Sequence, residues 1–163
     1  MSLTIKGSLL VGFLAYTSVI TMPEVQKLTK RDTTERQCLI EAISHEALNQ
    51  PVKGQKAVLD VIINRVKAKG FPSSICAVVH APKAFSYRNH LKPGKSIQKV
   101  AKNIQDSKAM KKIENLVDFY LHGEYTAVLS PNVLWYSRNE IRTSWMKNLK
   151  VEVVIADHKF MKG

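Results

Sequence analysis

Cysteine is nearly absent from this chain. Cys38 and Cys76 are its whole complement, which excludes a multiply bridged scaffold and a cysteine-built zinc site. Seven glycines and six prolines in 163 residues exclude collagen and low-complexity disorder. Acidic residues are also few, 13 against 25 Lys and Arg, leaving a net charge of +12. A surplus of that size calls for an anionic partner: nucleic acid, a membrane surface or a bacterial wall. Glycine-rich phosphate loops, a nucleophile elbow and HExxH are all missing. The five histidines (His45, His80, His90, His122, His158) have no ligand spacing either. Neither a metal nor a cofactor is expected.

What remains is the composition of one globular domain, 45% hydrophobic and 23% charged, long enough to bury its own core. Its N-terminus stands apart. Behind Lys6, the stretch from Gly7 to Met22 carries no charge and no polar face. It is shorter than the roughly 20 apolar residues of a membrane span. Residues 1–22 therefore read as an export signal or weak membrane anchor, with a buried first helix as the alternative. Residues 23–33 are polar and charged and read as a linker, so the folded domain spans 34–163.

Within that domain, Thr34-Glu-Arg-Gln37 has the form of a capping box and predicts a helix starting there. Leu39, Ile43 and Ala47 make its apolar stripe, and Asn49, Gln50 and Pro51 end it. A second helix is predicted from Val52 to Lys69, with Val58, Val61, Ile62 and Val66 inward. Phe71–Asn89 reads as irregular. One or two helices follow between Ser96 and Leu121, on Ile97, Val100, Ile104, Met110, Ile113, Val117 and Tyr120. The period then changes: Val133–Tyr136 and Val151–Ile155 read as strands, with Asp157-His158 as a turn. The fold class is α+β, a mainly helical body with a small C-terminal β element.

Lys92, Lys95, Lys99, Lys102, Lys108, Lys111 and Lys112 crowd one stretch, the first four on one helical face. This is either a solvated face or a surface for an anionic envelope. Aromatics do not interleave with it, so no nucleic acid is expected as partner.

Glu46 breaks the pattern of its helix. It falls on the stripe of Leu39 and Ile43, in the last turn, where the helix dipole disfavours negative charge. Burial and dipole both raise a carboxyl's pKa, and a protonated acid in a cleft suits protonation of a glycosidic oxygen. The plainer alternative is a partly exposed Glu bonded to a nearby N–H or lysine. Glu41 and Asp60 read as surface acids, Asp60 grouping with Lys56 and Asn64 on a solvated face. Trp135, Tyr136 and Trp145 are either core or a floor on which sugars stack.

In order and with compatible spacing, the chain carries Cys38-Leu-Ile-Glu-Ala-Ile-Ser-His-Glu46-Ala-Leu-Asn-Gln-Pro51, Lys53-Gly-Gln55, Val61-Ile-Ile-Asn-Arg-Val66, Phe71-Pro-Ser-Ser-Ile-Cys76 and Phe85-Ser86. Leu134-Trp-Tyr136, Ser144-Trp145 and Ile155-Ala-Asp-His158-Lys-Phe160 follow. This set resembles the cell-wall hydrolase family of spore-cortex-lytic enzymes, the SleB type, over residues 36–161. The resemblance implies a lysozyme-like fold that cleaves peptidoglycan, with Glu46 at the position of the catalytic acid. Gln55, Asn64, Phe85, Ser86, Tyr136, Trp145 and His158 match positions that shape the cleft or hold its scaffold, and they are the substrate-binding candidates. It also favours a disulfide between Cys38 and Cys76. The chain departs from the family at His45, Leu48, Asn49 and Gln50, where the pattern has Gly, Arg, Gly and a second Glu.

The combined expectation is a monomeric, exported, endolysin-like glycosidase of the periplasm or cell envelope, associating transiently with the membrane through residues 7–22. Lytic transglycosylation is the leading activity. A water-using muramidase and a non-catalytic basic wall- or nucleic-acid-binding protein are the alternatives.

Overall fold

Leu39, Ile43 and Ala47 lie one above another on the first helix, α1 (Met22–Ala47), and are completely or almost completely buried. The computed structural model describes residues 22–89 and 108–163, with side chains from residue 33 onward. Backbone helix already begins at Met22, upstream of the capping box at Thr34, so residues 23–33 are helical and continuous with the domain's first helix. The uncharged run from residue 7 to 21 lies outside the described residues, and none of the described helices is long and apolar enough to cross a membrane.

Helix α2 (Val52–Lys67) stops two residues earlier than its periodicity predicted, and Gly70, at φ 91°, turns the chain away from it. Val58, Val61 and Ile62 of α2 meet the α1 stripe with no exposed surface. Each aliphatic side chain buried in this way contributes about 1.5–3 kcal/mol of transfer free energy. The segment expected to be irregular contains a short helix, α3 (Ile75–Val79), capped by the Ser74 side chain, and a 3₁₀ turn at Ser86–Arg88. A disulfide joins Cys38 of α1 to Cys76 of α3.

Helix α4 (Lys108–Leu121) closes the helical layer with Met110, Ile113, Leu116 and Val117 inward. Arg36 of α1 grips Asp118 of α4 with two hydrogen bonds of 2.6 and 3.0 Å. Ile97, Val100 and Ile104, and the face of Lys92, Lys95, Lys99 and Lys102, lie outside the described residues.

Three antiparallel strands complete the fold: β1 (Val133–Arg138), β2 (Lys150–Ile155) and β3 (His158–Lys162), in the order β1-β3-β2. The last strand is central, which its few residues did not announce. His158 is its first residue rather than part of a turn, paired with Arg138 on one side and Ile155 on the other. Phe160, completely buried, roots the sheet in the helical core.

Asp60 overturns its expected place on a solvated face. It is 3% exposed and receives the Tyr125 hydroxyl at 2.6 Å and the backbone N–H groups of Val128 and Leu129 at 2.7 and 2.9 Å. Polar neighbours in the sequence hid an internal anchor for the loop leading to β1.

Candidate active site

The end of α1 is built to hold a side chain in place. Pro51 and the turn after Ala47 leave the last carbonyls of the helix without helical partners. The Gln55 amide of α2 caps them, donating to the carbonyls of Ala47 and Leu48 at 3.3 Å each. Gln55 is 2% exposed and does not line the main cleft. A candidate for shaping the cleft or holding its scaffold, it caps the helix end that carries Glu46.

Asn64, a candidate of the same kind, also lies outside the lining of the main cleft. Its amide donates to the carbonyls of Ser130 and Val133 at 2.9 and 3.1 Å, while Arg65 Nε donates to Leu134 at 2.8 Å. These three bonds dock β1 against α2. They bring Tyr136 beside Glu46 on the cleft wall, close enough for its hydroxyl to act on the carboxyl. Tyr136 is itself stacked on Phe160, with ring centres 5.7 Å apart, and braced edge-on by His158 at 5.6 Å.

Around this pair lies a cleft of about 700 Å³. Six of the eight residues singled out in the sequence line it: Glu46, Phe85, Ser86, Tyr136, Trp145 and His158. Trp145 is 51% exposed and offers a bare indole face, whereas Trp135 packs edge-on against Phe71. His45 stacks on Tyr87 at 4.4 Å, two rings nearly parallel on the cleft wall where the resembling pattern has glycine.

Burial pushes the Glu46 carboxyl above its ordinary range, and the Tyr136 hydroxyl and the Arg65 cation pull it only part of the way back. The same burial, with the carboxyl beside it, holds the Tyr136 phenol well above its usual value. His158 is lowered by burial, which favours its neutral form. The site therefore pairs an acid inclined to keep its proton with a neutral hydroxyl that can bond to it in either state.

Two features escaped the sequence reading. Arg65 lines the cleft with its guanidinium over the Phe71 and Phe85 rings, at 5.7 and 5.6 Å. Its place beside Asn64 in a matching motif was the available signal. Glu41, expected at the surface, has a side chain only 14% exposed, paired with Arg88, near His80 and accepting from the Tyr87 hydroxyl at 3.3 Å. It braces Tyr87 from behind and stays out of the cleft lining. Asp157 does enter the lining, although it is exposed and bonded to Gln50 at 3.1 Å. Among the described residues, no cluster of His, Cys, Asp and Glu is arranged to hold a metal ion.

Residues 49–161 match the family described as Cell Wall Hydrolase. The chain belongs to that family. It is an enzyme of cell-wall breakdown with peptidoglycan as substrate. The match begins three residues after Glu46, so the helix end bearing this acid rests on the geometry above rather than on the matched stretch. No curated protein is significantly similar to this cell wall hydrolase.

Two solved structures share its fold. The catalytic domain of the Bacillus cereus SleB protein is 23% identical, with a TM-score of 0.54 over 80% of this chain and 91% of that one. The catalytic domain of the germination-specific lytic transglycosylase SleB from Bacillus anthracis is 24% identical, with a TM-score of 0.58 over 78% and 93%. The α+β class expected from the sequence is the class observed.

Proposed function

We propose that this cell wall hydrolase cuts glycan strands between N-acetylmuramic acid and N-acetylglucosamine as a lytic transglycosylase, with Glu46 as acid and then base. The carrying observation is the setting of Glu46: a carboxyl raised by burial, beside Tyr136, on the wall of a cleft of about 700 Å³. Protonated Glu46 gives its proton to the bridging oxygen as the C1–O bond breaks, releasing the glucosamine end as an alcohol. Positive charge develops at C1 of the muramic residue, and that sugar's own 6-hydroxyl attacks it. The Glu46 carboxylate takes the hydroxyl proton, which restores the acid and leaves a 1,6-anhydro end. No water is consumed. One carboxyl performs both transfers, as general acid and then general base.

Tyr136 keeps the carboxyl oriented through both states, and the bare face of Trp145 suits the apolar face of a sugar ring. The Bacillus anthracis neighbour, described as a lytic transglycosylase, supports the choice of reaction. Hydrolysis by water is the second reading, because Asp157 also lines the cleft and a two-carboxylate glycosidase needs a partner acid. Delivery through residues 1–22 to the envelope, in the manner of an endolysin, completes the proposal.

Mass spectrometry of digested sacculi tests it. Anhydro-muramic ends are expected from the wild type, and Glu46→Gln is expected to lose roughly 10²–10⁴-fold in rate while remaining folded. Reducing muramic ends identify a hydrolase, and an active Glu46→Gln protein rejects the mechanism.

A further inference from the structure

A second concavity of about 400 Å³ opens beside the main cleft. The two share Asn49 and Gln50, which form the partition between them. Pro51 and Gln55 belong to its α1–α2 side, and Lys108 and Lys112, one turn apart on α4, to the other. Among the described residues that line it, none is acidic. Neither lysine takes part in an ion pair among the described residues. The main cleft differs in kind, with Glu46 and Asp157 both in its lining.

Gln50 gives the partition a fixed position. Its amide nitrogen donates to Asp157 at 3.1 Å, and its carbonyl lies 3.5 Å from the Asp157 backbone nitrogen. With Gln50 tied toward the strand side, the cleft and the basic concavity remain two connected compartments. The cleft is lined by both acidic and basic side chains, Glu46, Asp157, Arg65 and Arg138 among them, whereas the charged residues of the side concavity among those described are Lys108 and Lys112.

Resting on the reading of the main cleft as a glycan site, we propose that the side concavity is a subsite for the peptide stem of the wall. These stems leave the strand at the muramic lactyl group and carry free carboxylates along a short, flexible chain. Lys108 and Lys112 would take one such carboxylate, while the glycan lies in the cleft on the far side of Asn49 and Gln50. The enzyme would thereby select strands that still bear their peptides over strands already stripped of them.

Affinity measured on Glu46→Gln protein tests the subsite apart from the chemistry. Calorimetry compares a soluble muropeptide chain with the same glycan after amidase removal of its stems. The peptide-bearing chain is expected to bind more tightly, by a margin that shrinks as salt rises. Lys108→Gln with Lys112→Gln should remove roughly three- to tenfold of that margin, the scale of two exposed charge pairs. The loss should be confined to the peptide-bearing chain, and Lys108→Arg with Lys112→Arg should restore it. Equal affinity for both glycans, or an equal loss on both in the Gln variant, overturns the proposal. Failure of the glycosidase reading looks different: the protein with Glu46 intact cleaves neither glycan, whatever the affinities.

Discussion

Gln50 and Asp157, separated by 107 positions in the chain, meet side chain to side chain at 3.1 Å and join the end of α1 to the β2–β3 turn. Asn139 holds the same turn from the other side, donating its amide to Ala156 at 3.0 Å and its backbone N–H to Asp157 at 2.9 Å. Ala156 stands at a φ of 48°, a left-handed conformation that a non-glycine residue keeps only when its surroundings hold it. A glutamate at position 50, as in the resembling pattern, would set two carboxylates against each other here. The glutamine and the aspartate fit as a pair.

Gln50→Glu is accordingly expected to open this link at neutral pH. KM on glycan strands should rise severalfold while the end groups of the products stay the same. Lowering the pH to protonate one carboxyl should recover part of the loss. A profile of KM against pH for both proteins checks this, and an unchanged KM counts against a positioning role for the link.

Glu46 makes stability depend on pH in a definite direction. Its carboxyl is raised in the fold, so the folded chain holds the proton more tightly than the unfolded chain. Stability attributable to this group is present below the ordinary carboxylate range, near pH 4.3, and is lost as pH rises through the raised value. Glu46→Gln lacks that loss. Denaturant unfolding should find the variant gaining on the wild type as pH rises from the ordinary carboxylate range through the raised value. A constant difference over that interval would mean the carboxyl is not perturbed. The alkaline limb of the wild-type rate profile should follow the same group.

Asp60 is expected to matter for folding rather than for turnover. Asp60→Ala strands two backbone N–H groups, while the Tyr125 hydroxyl keeps the Lys56 carbonyl at 3.1 Å. The cost is about 2 kcal/mol or more, since each unsatisfied buried donor costs about 1–3 kcal/mol. Asp60→Asn keeps one acceptor oxygen and should lose less. Thermal melting of the two variants checks the order. If both melt with the wild type, the loop before β1 does not depend on this anchor.

The Cys38–Cys76 disulfide closes a loop of 38 residues between α1 and α3. By chain entropy a link of that length is worth roughly 3–4 kcal/mol. Reduction, or replacement of both cysteines by Ala, should lower the unfolding free energy by up to that amount. The chief effect on activity should be at raised temperature, because Cys38 lies two turns of helix before Glu46. Free-thiol titration before and after reduction ties the loss to the bond.

Much of this was written in local sequence. The apolar stripes of α1, α2 and α4 follow from a period of 3.6 and a hydrophobic side that has to be buried, so the C-terminal ends of those helices were legible within a few residues. Glu46 was legible because it interrupts such a stripe. The start of α1 was not, because a capping box marks a favourable place to begin a helix and does not prevent one from starting earlier.

Relations between segments belong to the tertiary structure alone. Local charge spacing placed Asp60 and Glu41 at the surface, and packing against Tyr125 and against Arg88 put them inside. Gln55 and Asn64 have the same side-chain chemistry whether they touch a sugar or a carbonyl, so only the folded contacts separate scaffold from cleft. The sequence by itself determined the helices, the α+β class and the acid on the apolar stripe, because periodicity and burial act over a few residues. The tertiary structure decided which groups surround that acid, because Tyr136, Arg65 and the Gln50–Asp157 link come from segments with no local reason to meet.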